Sequence, residues 1–150
     1  MERLLRVNHL ERLRLADLDH TGCDQDWYTT RWQRLSGCGP TTAASLSLLQ
    51  FFPLASLTQA EALARMEETW KHVTPSFRGV DTLERFKNGF SAYLAQAEVK
   101  HIVHCIPIPK AKDKRPLIEE AIRFIKEALE KDKPVPFLNL HNGHVVNLEA

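Results

Sequence analysis

Long apolar runs are absent from this chain. Glu, Arg and Lys recur throughout its 150 residues, so no window has the length of uncharged apolar sequence that a membrane span requires. Residues 1–9 are broken by charge every few positions and lack the apolar stretch of a signal peptide. An excess of one charge sign is absent too. Twenty basic against 19 acidic side chains leave a formal +1, too balanced for an electrostatic footprint on nucleic acid or an anionic membrane. Cysteine is scarce: Cys23, Cys38 and Cys105 cannot all pair within one chain, and their density is far below that of a disulfide scaffold. Together these absences predict a soluble protein of a reducing, cytoplasmic setting, with no nucleic-acid or membrane partner. What is present, 43% hydrophobic residues in a chain of this length, suits a single domain over residues 1–150 whose core needs no staples.

Local signals place helices first and strands later. The segment to about residue 22 mixes Leu, Arg, Asp and His without a sustained period and is expected to form a short strand or turns. Residues 23–37 read as a polar loop bearing Trp27, Tyr28 and Trp32. After Cys38 come Leu46, Leu48, Leu49, Phe51 and Phe52, apolar on most faces until Pro53, the pattern of a buried central helix. Thr58-Gln59-Ala60-Glu61 is a capping-box pattern in front of Leu63, Met66 and Trp70. Asp81, as a cap, precedes a stripe of Leu83, Phe86, Phe90, Tyr93, Leu94 and Ala97. Packing explains both stripes, so neither calls for a cofactor.

Residues 101–108 are rich in β-branched residues with alternating polarity and read as a strand that Pro107 puts at an edge or an end. A charged loop over 110–115 leads to a helix from 116 to about 131, with Leu117, Ile118, Ala121, Ile122, Ile125 and Leu129 inward. Residues 134–140 and 144–148, joined by Asn142-Gly143, read as a hairpin. The sum is an expected α+β fold, with a helical N-terminal half followed by a small antiparallel sheet.

Within this layout Cys38 carries the chemistry. It stands in Ser36-Gly37-Cys38-Gly39-Pro40-Thr41-Thr42, where a glycine on each side removes Cβ crowding and permits positive φ, and Pro40 suits a first helical turn. A thiol at a helix N-terminus lies at the positive end of the dipole, which favours its thiolate form. Such a cysteine is a candidate nucleophile, and it needs a base from elsewhere in the chain.

The stretch Asp24-Gln25-Asp26-Trp27-Tyr28 followed by Gly37-Cys38-Gly39-Pro40-Thr41 resembles the nucleophile region of the papain-like cysteine peptidase superfamily, closest to its C39-like branch. The resemblance implies a papain-like domain whose buried helix carries the nucleophile and whose later sheet delivers a histidine. It implies a cysteine-dependent hydrolase or acyl transferase acting on a peptide or amide substrate through a Cys38 thioester. A glutamine ahead of the cysteine serves the oxyanion in such enzymes. Gln33, five residues before Cys38, is the nearest match, and Gln25 is a second candidate. His144, in Asn142-Gly143-His144-Val145-Val146, resembles the family's G-H-x-V presentation of the base. In a second alignment the hairpin over 138–148 precedes the histidine strand, and the base lies beyond Ala150. The orienting Asn or Asp of the family follows its histidine at a distance, so the domain is expected to be incomplete at its C-terminus.

Other roles for these residues are weaker. His101 and His104, three apart on the expected strand, would point to opposite faces and make poor joint metal ligands. A zinc site at His20, Cys23 and Cys38 would lack a fourth ligand and the paired short spacings of structural sites. Cys23 and Cys105 read as ordinary thiols, Cys105 facing the core. No metal or cofactor is implied, and nothing sets the oligomeric state. The main alternative to an enzyme is a non-catalytic binding or scaffold module in which Gly37 and Gly39 serve helix packing alone; a redox pair of Cys38 and Cys23 would need the two sulfurs within disulfide reach.

Overall fold

The computed structural model describes residues 8–77, 79–107, 115–139 and 144–147. Five α-helices carry the architecture among these residues: α1 (Arg31–Ser36), α2 (Cys38–Leu46), α3 (Gln59–Trp70), α4 (Leu83–Gln96) and α5 (Arg115–Glu130). Two strands, β1 (Pro136–Asn139) and β2 (His144–Asn147), pair antiparallel with Asn139 opposite His144.

The expected α+β class is therefore corrected: the described residues are mostly helical, and in place of a sheet there is one hairpin of two short strands. The largest departure is at residues 101–107, expected to form a strand and found without regular structure. Alternation of polarity stabilises a strand only when a neighbour accepts its backbone ladder, and no described strand pairs with this stretch. Val103 packs on the core, whereas His101, Ile102 and His104 are exposed and Cys105 is only half-buried, so Cys105 does not face the core as expected. The residues of the expected 110–115 loop up to 114, and the Asn142-Gly143 turn, lie outside the described residues.

The helices begin where short polar side chains can satisfy the first N–H groups. Thr58 and Glu61 form the expected capping box of α3, with the Glu61 N–H donating to Thr58 Oγ1 at 3.3 Å and the Thr58 N–H donating to Glu61 Oε2 at 2.8 Å. For α4 the cap is Thr82 rather than Asp81: its hydroxyl accepts from the Arg85 N–H at 3.1 Å. Asp81 instead forms an ion pair with Arg85 at 3.4 Å.

α2 is the axis of the fold. Every residue from Ser36 to Leu49 is buried, and at Ser47–Phe51 the helix widens into a π-turn before Pro53. One side of α2 joins Ala43 and Leu46 to Val73, Val80 and the α4 residues Phe86, Phe90, Tyr93 and Leu94. The other joins Leu48 and Leu49 to Leu13, Leu15, Leu57 and Ala62. Ala44 meets Tyr28 and Met66 on a third face. A helix covered on all faces needs apolar or small residues throughout, which is what this segment supplies.

Helices α4 and α5 end alike. In α4 the Val99 N–H reaches back to the Leu94 carbonyl at 2.9 Å and the Glu98 N–H to Ala95 at 3.0 Å; in α5 Lys133 reaches Ala128 at 2.8 Å and Asp132 reaches Leu129 at 3.0 Å. Both are Schellman closures, and the residue in the left-handed position is acidic in each: Glu98 at φ 58° and Asp132 at φ 56°. A side chain there costs about 1 kcal/mol that glycine avoids. Glu98→Gly is expected to stabilise the fold by up to about 1 kcal/mol in urea denaturation, with Glu98→Ala giving no gain.

Candidate active site

The loop before Cys38 is built by its own side chains. Asp24 caps a 3-10 turn over Gln25–Trp27, its carboxylate accepting from the Asp26 N–H at 2.9 Å. Helix α1 follows, which the loop reading of residues 23–37 missed. Its signal is in the sequence: Thr30-Arg31-Trp32-Gln33 is a capping box, with the Gln33 N–H donating to Thr30 Oγ1 at 3.2 Å and the Thr30 N–H donating to Gln33 Oε1 at 3.3 Å. The Gln33 carboxamide is thereby drawn to the start of α1, and its Nε2 donates to both Glu67 oxygens at 3.1 and 2.9 Å, tying α1 to α3.

Gln25 lies at the other end of α1. Its Nε2 donates to the Arg34 carbonyl at 2.6 Å. A helical carbonyl points along the axis toward the residue four positions on, so this bond puts the Gln25 carboxamide beside the turn that leads into Cys38. The Arg34 guanidinium holds the same loop from below, donating to the Tyr28 and Thr29 carbonyls at 2.7 and 2.8 Å.

Cys38 is the first residue of α2 and 7% exposed. The glycines beside it do not act through positive φ: Gly37 has φ −83° and ψ 6°, open to any residue. They act through space. A Cβ on Gly37 would stand 2.5 Å from the Gln33 carbonyl oxygen and 2.6 Å from the Tyr28 ring, and one on Gly39 would overlap the Val80 side chain. Tyr28 is 1% exposed, stacked edge-on to Trp70, with its hydroxyl donating to the Met66 carbonyl at 3.1 Å. Thr69 on α3 donates to the Pro40 carbonyl at 2.8 Å. The turn bearing the thiol is thus clamped between Tyr28, Val80 and α3.

Strand β2, which begins at His144, runs alongside α2. The His144 side chain lies outside the described part of the structure, as does everything after Asn147. Trp32 and Leu35 on α1, and Phe77 in the turn before Val80, are exposed apolar side chains.

Cys23 and Cys105 are thiols with suppressed ionisation. Burial pushes Cys23 up to about 11, the Ser45 hydroxyl and Arg65 opposing it weakly, and burial raises Cys105 against the pull of Lys87. Burial also drives Tyr28 far above the ordinary phenol range. No group of three or more metal-ligating side chains is assembled among the described residues. No protein-family model, curated protein or solved structure matches this chain.

Two outcomes are expected. Gly39→Ala should cost roughly 2 kcal/mol through overlap with Val80, and Val80→Ala in the same chain should recover part of it, a coupling measurable by a double-mutant cycle. Stability should also fall at alkaline pH. The folded state favours the neutral Cys23 thiol, so its contribution is complete below the unfolded value of 9.0 and is lost as pH rises through about 11. The loss attributable to this thiol is of order 3 kcal/mol, and Cys23→Ala should flatten the pH 9–11 slope in chemical denaturation.

Proposed function

We propose that the chain is a cysteine-dependent hydrolase or acyl transferase acting on a peptide or amide bond, with Cys38 as nucleophile. One observation carries this reading: the thiol opens a fully buried helix, clamped on three sides, and a strand beginning with histidine runs beside that helix. A nucleophile needs this fixed presentation because the geometry of attack contributes to rate only if the attacking atom is already in place.

In the proposed reaction the His144 imidazole takes the Cys38 proton and sulfur attacks the carbonyl carbon. The C–N bond then breaks, the amine leaves with the proton returned by the imidazolium, and an acyl-thioester remains. Water releases the acid, or an amine takes the acyl group, and the thiol is regenerated.

Two carboxamides compete for the oxyanion. Gln33 is committed to a carboxylate, Glu67, and leaving it would break charge-assisted bonds. Gln25 gives up only a neutral carbonyl, that of Arg34, which a developing oxyanion outcompetes. We assign the oxyanion contact to Gln25 and treat Gln33 as the residue that fixes α1 against α3.

An activated ester tests this without knowledge of the substrate. With p-nitrophenyl acetate, a burst of one acyl group per chain is expected, mapping to Cys38 by peptide mass analysis and absent in Cys38→Ala. Gln25→Ala should slow acylation on the order of a hundredfold, and Gln33→Ala by much less. Acylation spread equally over Cys23, Cys38 and Cys105 would exclude the nucleophile assignment, and would favour a binding or scaffold module.

A further inference from the structure

A second feature lies at the opposite end of the α2 axis. Beyond the π-turn, the edge of the His101 ring meets Phe51 with centroids 5.0 Å apart. Around it Lys100, His101, Ile102, His104 and Lys133 line an open concavity of about 450 Å³. Four of these five side chains are cations or become cations on protonation, and no carboxylate is among them. In a chain with 20 basic and 19 acidic residues this segregation of sign is not a by-product of overall basicity.

The backbone explains how the cluster forms. Lys100 and His101 follow the Schellman closure of α4, and Lys133 is the last residue of the closure of α5. The left-handed residues Glu98 and Asp132 turn the chain at both places. Lysines near helix C-termini commonly serve the last carbonyls, but here Leu94, Ala95, Ala128 and Leu129 already accept from backbone N–H groups. The cations are not needed as caps. Asp132, the carboxylate next to Lys133, is turned toward the N-terminal segment: its Oδ1 accepts from the Asn8 N–H at 3.2 Å and its Oδ2 lies 3.9 Å from His9 Nε2. Glu98 does not line the concavity. Among the described residues, no carboxylate lines the concavity to offset these charges. Partial burial, then the charges of Lys133 and His104, hold His101 below its ordinary range.

We propose that this concavity is a binding site for a tetrahedral dianion, a phosphomonoester whose ester group lies against Ile102. Lysine ammonium groups and protonated imidazoles suit phosphoryl oxygens as point charges with rotatable or planar donors. Ile102, 71% exposed on the same wall, supplies the apolar contact that a free inorganic anion would not use. Among the described residues the groups facing His101 are Lys100, His104 and Lys133 along with the Phe51 ring, and none of them is a carboxylate. A bound dianion stabilises the imidazolium forms, and binding strengthens as pH falls. The site stands apart from Cys38 and does not depend on the proposed reaction.

The test is a titration of the whole chain with phenyl phosphate, inorganic phosphate and sulfate at constant ionic strength, read from the imidazole resonances by NMR. Phenyl phosphate should give a saturable shift of His101 and His104 and raise the pKa of His101, with inorganic phosphate binding more weakly. Sulfate, a dianion across the range, should bind more tightly at pH 5.5 than at pH 8, which separates histidine protonation from that of phosphate. Lys133→Gln and Lys100→Gln, both at exposed positions, should each weaken phenyl phosphate roughly tenfold. Shifts that rise linearly and are matched by chloride, or an affinity unchanged in both lysine variants, would overturn the site. Equal affinity for phenyl and inorganic phosphate would overturn the ester contact.

Discussion

The close approach of backbone to side chain at Gly37 and Gly39 is the constraint on which this structure rests. At these two positions the chain comes so near to Tyr28 and Val80 that no Cβ fits, and the thiol between them inherits the rigidity of both contacts. Tyr28 in turn is fixed by Trp70 and the Met66 carbonyl, and Val80 by the cluster it shares with Val73 and α4. The segment that bears the nucleophile is therefore held by packing, which is short-ranged and unforgiving of added volume, rather than by backbone conformational freedom.

The far end of α2 is held by polar groups instead. Ser47, in the π-turn, shares a hydrogen bond with the Tyr93 hydroxyl at 2.9 Å, and Arg65 donates to the same hydroxyl at 2.9 Å while its guanidinium lies over the Phe52 ring, 5.3 Å from the centroid. Arg12 donates to the Leu49 carbonyl at 3.0 Å, satisfying an acceptor that the ending helix leaves open. The Ser47–Tyr93 bond is buried and resists displacement, because breaking it leaves unsatisfied hydroxyl groups in a dry interior. Packing clamps one end of the helix and hydrogen bonds the other. The proposed nucleophile sits within the first clamp, and the cationic concavity lies beyond the second.

The expected strand over 101–107 also shows why the cationic concavity could not be foreseen. On a strand His101 and His104 would face apart; in irregular backbone, after a left-handed residue, they line the same depression. Lys133 reaches it from just past the end of α5, about 30 residues away in sequence, through a turn at Asp132 that carries no glycine to announce it.

What the sequence determined by itself was local. The buried helix after Cys38, the capped start of α3, the apolar stripe of α4 and the span of α5 follow from periodicity and capping, which act within a few residues of one another. The capping box of α1 was equally legible in Thr30 and Gln33, and the Asp81-Thr82 pair left a one-residue ambiguity that hydrogen-bond geometry resolved in favour of Thr82. Only the tertiary structure decided the rest. Residues 101–107 needed a pairing partner to become a strand and found none among the described residues. Gln25 and Gln33 are the same side chain to a sequence motif, and what separates them is that one meets the Arg34 carbonyl near Cys38 and the other a carboxylate on α3. The two glycines announced themselves in the sequence, but their reason lay in Tyr28 and Val80, because contact between distant residues is a property of the packed chain and not of its order.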